Sequence, residues 1–164
     1  MNNFDPSLDL VLTRTTDVPV ELVWKAWTTP ELLKQWFTPK PWVTAECELD
    51  ARPGGRFYTL MRSPEGPEFP GEGCVLEVTP NERFVWTSAM LPGYRPKVGG
   101  GDPMEAGFHF TAVIELTRTS TGTEYRVTLI HPDPEAKNKH EAMGFESGWS
   151  SAFDQLVELM RGAM

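Results

Sequence analysis

The sequence predicts an α+β fold: one curved antiparallel sheet of about seven strands, two short helices near its start, and one long C-terminal helix over its concave face. Three observations predict it. Pro134 to Arg161 reads as a single amphipathic helix, because Phe145, Trp149, Ala152, Phe153, Leu156, Leu159 and Met160 recur at helical spacing. The stretch from Trp42 to His131 reads almost wholly as strands and turns. A helix with so large an aromatic face needs a broad apolar surface beneath it, and only those strands can supply one.

Leu8 to Thr16 alternates as a first strand, closed by Asp17-Val18-Pro19. Pro19 suits the first turn of a helix and Asp17 suits its cap, with Val20, Val23, Trp24 and Trp27 as the apolar face. Thr29 and Pro30 restart a second helix carrying Leu32, Leu33 and Trp36, and Pro39 and Pro41 end it. From Trp42 the period becomes two: Val43, Ala45, Cys47 and Leu49 share an inward face, and Thr44, Glu46, Glu48 and Asp50 share a wet one. Arg52-Pro53-Gly54-Gly55 is a turn, with Asp50 and Arg52 as a turn-stabilising pair. Strands then follow over 56–62, with Phe57, Thr59 and Met61 on one face, over 73–79, and over 83–88, with Phe84 and Trp86 together. A Pro/Gly-rich loop fills 63–70, and residues 90–107 lose all periodicity and read as a long mobile loop, a lid candidate. Two further strands, 108–118 and 123–131, carry Phe110, Ala112, Ile114 and Leu116, then Tyr125, Val127, Leu129 and His131, inward. The chain, 1–164, reads as a single domain with a flexible tail over 1–7.

Composition narrows the function class. A formal net charge of -8 argues against nucleic acids and anionic membranes, both of which call for clustered Lys and Arg. No apolar run is long enough to span a bilayer, and the polar N-terminus carries no secretory pattern, so a cytoplasmic protein is expected. Cys47 and Cys74 match no disulfide framework or zinc ribbon and read as small buried residues. His109, His131 and His140 are dispersed, with no HExxH pattern, so neither a metal nor another cofactor is expected.

Particular residues carry a resemblance. Trp36-Phe37, the run Asp50-Ala51-Arg52-Pro53-Gly54-Gly55-Arg56-Phe57, Gly71-Glu72-Gly73, the run Glu77 to Trp86, Gly122-Thr123 and Met143 to Trp149 resemble the START-like, birch-allergen-like (SRPBCC) superfamily. They look most like its branch named after activators of the heat-shock-protein-90 ATPase. The resemblance spans nearly the whole chain and implies the helix-grip fold, in which a cavity lies between the sheet and the long helix. It also implies a bacterial single-domain protein. It leaves three functions open. The first is binding of a small hydrophobic or aromatic molecule. The second is a cofactor-free cyclase- or hydrolase-type enzyme using the same cavity. The third, favoured least, is activation of a chaperone ATPase. A homodimer stays open as well.

In that fold the inward residues Trp36, Phe57, Met61, Trp86, Phe110, His131, Met143, Trp149 and Phe153 are the candidate ligand wall. A cavity below about 300 Å³ would weaken any ligand reading. His131 is the best candidate for a chemical group, either orienting a ligand and moving a proton with Tyr125, or held structurally by a backbone group. His109 and His140 read as surface residues. Gly144, Gly148 and Ala152 form a second stripe, which signals either close packing or deliberately unfilled space.

Overall fold

A computed structural model describes residues 4–98 and 108–164. The elements run β1 (Asp9–Thr16), α1 (Val20–Thr28), α2 (Pro30–Trp36), β2 (Val43–Leu49), β3 (Arg56–Arg62), β4 (Glu68–Thr79), β5 (Arg83–Thr87), β6 (Met90–Leu91), β7 (Arg95–Pro96), β8 (Thr111–Arg118), β9 (Thr123–Ile130), α3 (Pro134–Ala142) and α4 (Phe145–Arg161). The main sheet has seven antiparallel strands in the order β1-β9-β8-β5-β4-β3-β2, so the first strand pairs with the last. This is the helix-grip architecture that the sequence predicts.

One face of the sheet is dry. Phe57, Val75, Phe84, Trp86, Ala112, Ile114, Tyr125, Val127 and Leu129 are buried on it, against α1, α2 and α4. The other face is polar and laced with cross-strand ion pairs: Arg56 with Glu48 and Glu72, and Arg83 with Glu77 and Glu115. Two β-bulges, between Thr44 and Glu46 and between Val75 and Glu77, bend the strands and re-aim their side chains. The first bulge breaks the alternation read for β2 at its start, while Cys47 and Leu49 pack against the core and Glu46 and Glu48 face out as expected. Thr44 turns inward, 5% exposed, and its hydroxyl meets that of Thr38, while Val43 faces solvent at 47%.

Trp27 ties the layers together. Its indole Nε1 donates to the Tyr125 hydroxyl at 3.0 Å, and its ring meets Trp36 edge-on at 4.9 Å. Tyr125 stacks on Phe153 of α4 at 4.3 Å. Trp36 Nε1 donates to the Ala26 carbonyl, closing the α1–α2 bend. Each such aromatic pair adds about 0.5–1.5 kcal/mol beyond its area burial.

Three expectations are corrected. The C-terminal segment is two helices, because Gly144 sits at φ 96, a left-handed conformation that ends α3 and re-aims the chain into α4. Asp17 does not cap α1, whose N-cap is Pro19; its carboxylate pairs with Arg161 at the end of α4. Of the long loop, residues 90–98 form a small hairpin, β6 paired with β7, tied down by Gly93 N–H to the Gly54 carbonyl; residues 99–107 lie outside the described residues. The turn pair Asp50–Arg52 forms at 2.6 Å, and Cys74 is buried while Cys47 is partly so. Of the tail, residues 1–3 lie outside the described residues, and Asp5 to Leu8 make a turn whose Asp5 N–H donates to Asp9. Among the described residues no helix is long and apolar enough to cross a membrane.

Tyr125→Phe strands the Trp27 indole N–H in the core and lowers unfolding free energy by about 1–3 kcal/mol. Urea titration reads this as a lower midpoint with an unchanged slope. An unchanged midpoint would show that this bond contributes nothing net.

Candidate functional site

A cavity of about 280 Å³ opens between the sheet and α4, at the end of the dry face away from Tyr125 and Phe153. Sequence predicts its wall in large part: Trp36, Phe57, Met61, Trp86, Phe110, Met143 and Trp149 all line it. On β3 the period-two pattern holds, so Phe57, Thr59 and Met61 all reach the cavity from one strand. Phe57 and Trp86 lie flat on each other, with centroids 4.2 Å apart and planes at 6°, and form a rigid aromatic floor. Trp86 Nε1 is buried with no partner among the described residues.

Two candidate residues lie elsewhere. Phe153 is fully buried against Tyr125. His131 is 4% exposed and both its ring nitrogens are engaged: Nδ1 with the Leu8 carbonyl at 2.8 Å, and Nε2 with His140 Nδ1 at 3.0 Å. The backbone-held alternative for His131 is therefore the observed one. Tyr125 is also unavailable for proton transfer. Its hydroxyl is completely buried on Trp27, and burial pushes its pKa up.

His140 takes the place expected of His131. It was read as a surface residue, yet it lines the cavity, with its ring about 5 Å from Phe108 and Phe110. The break at Gly144 explains the difference, since α3 folds over the cavity mouth instead of continuing the line of α4. One signal in the sequence reaches it: the stripe Gly148, Gly144 extended back by one helical turn lands on His140. The other lining residues that sequence reasoning missed include Phe37, Phe69 and Phe108.

The glycine stripe also resolves. A Cβ built on Gly148 meets nothing within 4 Å, so this glycine faces open space and not a close-packed neighbour. Gly144 serves the left-handed turn.

The polar groups on the wall are few. Ser88 is engaged with the backbone of Phe110, and the Glu72 carboxylate is paired with Arg56. The unpaired Trp86 Nε1 is buried out of reach of the cavity space; two groups stay open to it, the hydroxyl of Thr59, itself 4% exposed, and His140 Nε2, with no hydrogen-bond partner among the described residues. Burial lowers the pKa of both histidines. For His140, burial and then the neighbouring His131 bring it down to about 4; for His131, burial outweighs the Leu8 carbonyl and the charges of Asp9 and Asp133. Both rings are thus neutral at neutral pH. No group of three or more potential metal ligands occurs among the described residues.

With this geometry in place, comparison with known proteins becomes informative. Residues 17–161 match the family model described as Activator of Hsp90 ATPase homolog 1-like protein. The chain belongs to this family. A solved structure from Nitrosomonas europaea is 49% identical, with a TM-score of 0.91 and 98% of each chain covered. Proteins from Rhodobacter sphaeroides and Mycobacterium smegmatis share the fold at 20% and 23% identity. Their TM-scores are 0.79 and 0.77, with 96% and 97% of this chain and 95% and 94% of theirs covered. No curated protein matches. The family match thus takes in all but the first strand and the last residues of the described chain, and the cavity lies within it.

The histidine pair makes stability pH-dependent. In the unfolded chain His140 takes up a proton near pH 6.5, and in the folded chain only near pH 4. The unfolded state therefore binds more protons in between, so stability is full above about pH 6.5 and falls as pH drops toward 4. The loss is on the order of 3 kcal/mol, from 6.5 - 4 = 2.5 pH units at 1.36 kcal/mol each. Denaturation midpoints compared at pH 7 and pH 4.5 should fall more steeply for the wild type than for His140→Phe. Parallel curves would contradict the burial of His140.

Proposed function

We propose that this Hsp90-activator homologue binds a small, largely apolar molecule between the sheet and α4. The observation that carries the reading is Gly148. A glycine inside a helix costs about 1 kcal/mol relative to alanine, and here that cost leaves space over an aromatic floor, not a closer helix contact. A monomeric core under selection for stability alone would fill that space.

The volume limits the occupant. At 280 Å³ the cavity falls just below the usual range of about 300–1,000 Å³ for ligand sites, which counts against the ligand reading by the volume criterion above, and the reading rests on the open space at Gly148 instead. A volume of this size excludes long lipids and favours one or two fused rings. Phe57, Trp86 and Phe110 supply flat surfaces for ring stacking, and Trp149 and Met143 close the space from the helical side. Met143 is 59% exposed at the α3–α4 corner, where an unbranched and adaptable side chain suits a mouth that admits a ligand. The reading supports a carrier or sensor and assigns no reaction, because the two groups expected to move protons, His131 and Tyr125, do not line the cavity.

Gly148→Leu tests the reading by filling the space. The variant should keep or raise the melting temperature, since leucine is the better helix former by about 1 kcal/mol, and should abolish binding. The measurement is quenching of tryptophan fluorescence on titration with naphthalene, with native mass spectrometry of freshly purified protein as a second readout. Unchanged naphthalene affinity in Gly148→Leu would sink the proposal, as would absence of binding to the wild type.

A further inference from the structure

The two histidines at the cavity mouth form a directional chain. The Leu8 carbonyl is only an acceptor, so His131 Nδ1, 2.8 Å away, must carry the proton. In a neutral imidazole the other nitrogen then has none, so His131 Nε2 accepts, and its 3.0 Å partner His140 Nδ1 must donate. A neutral His140 protonated on Nδ1 keeps a bare lone pair on Nε2. Ring geometry points that nitrogen away from His131, and it has no partner among the described residues. One main-chain carbonyl thus dictates, through two rings, what the cavity wall offers. Of the other unpaired groups on the wall, the Trp86 indole N–H is buried out of reach of a ligand, and the Thr59 hydroxyl donates and accepts equally and so imposes no class on one.

We propose that the cavity selects molecules bearing a hydroxyl or N–H donor, which donate to the Nε2 lone pair of His140, and that His131 is the positioning residue that holds His140 in the accepting tautomer. This rests on the cavity being a ligand site. The ligand class is a compact ring system with one neutral donor, of the kind a phenol or an indole presents. A purely apolar ring leaves the lone pair buried and unpaired, and a carboxylate or ketone sets acceptor against acceptor.

The test compares 2-naphthol with 2-methylnaphthalene, which keeps the size and removes the donor. The wild type should bind 2-naphthol about 10-fold tighter, despite the greater hydrophobicity of the methyl compound, and His140→Phe should lose that preference. Equal affinities in the wild type, or a preference that survives in His140→Phe, would overturn the inference and leave the cavity reading intact. Binding of neither probe would overturn both. Because His140→Phe touches the packing of α3, the tautomer is also read directly in the wild type from the ¹⁵N shifts of the His140 ring. A proton on Nδ1 is expected, and a proton on Nε2 would overturn the inference. His131→Gln can donate to Leu8 and accept from His140, so it should keep both the tautomer and the naphthol preference, whereas His131→Leu should lose both. If the glutamine and leucine variants behave alike, His131 has no positioning role.

Discussion

A single hydrogen bond crosses the centre of this molecule. Trp27 of α1 reaches Tyr125 of β9, and Tyr125 in turn lies flat on Phe153 of α4. Three elements that are far apart in sequence are fixed on one another at that point, and the Trp27 ring also meets Trp36, Phe37, Phe84 and Trp149. The three meet at one end of the dry face, where Trp27, Tyr125 and Phe153 are each 1% exposed. The space left over collects at the other end, where glycine stands in place of a side chain. Trp27 joins the two ends, since Trp36, Phe37 and Trp149, which its ring meets, also line the cavity.

Much of the fold was legible in the sequence because period and punctuation agree. Large residues at every second position mark the inward faces of β3, β8 and β9, Pro-Gly-Gly marks the hairpin into β3, and Thr29-Pro30 marks the start of α2. The misses have local causes. A bulge inserts a residue without changing composition, so the inward set of β2 shifts at Thr44 with no trace in the pattern. The apolar stripe begins only at Phe145, just after Gly144, and 134–142 is polar, so spacing alone cannot report that a left-handed residue separates two helices there. The hairpin β6–β7 is too short for periodicity to register at all.

The site was legible in its apolar part and not in its polar part. Apolar wall residues follow from which face of a strand is dry, and Phe57, Met61 and Trp86 come directly from that rule. Which histidine meets the cavity depends on tertiary geometry: His131 is consumed by the carbonyl of Leu8, far away in the chain, and His140 arrives only because α3 folds over. The glycine stripe held the relevant hint, since empty space under a helix invites the question of what stands one turn further along.

The open sheet has two edges, β1 and β2, and each could in principle recruit a strand from another copy. Helix α2 packs against β2, and α3 and α4 pack against β1, where Arg14 clasps Asp154. The bulge at Thr44–Glu46 interrupts the regular spacing of β2, and its outward carboxylates Glu46 and Glu48 add like charge along that border. Strand-to-strand association and fibre growth are thereby discouraged at both borders. A self-associating pair of these chains would then meet through helices, loops or the polar outer face of the sheet, and not by extending one sheet into the next.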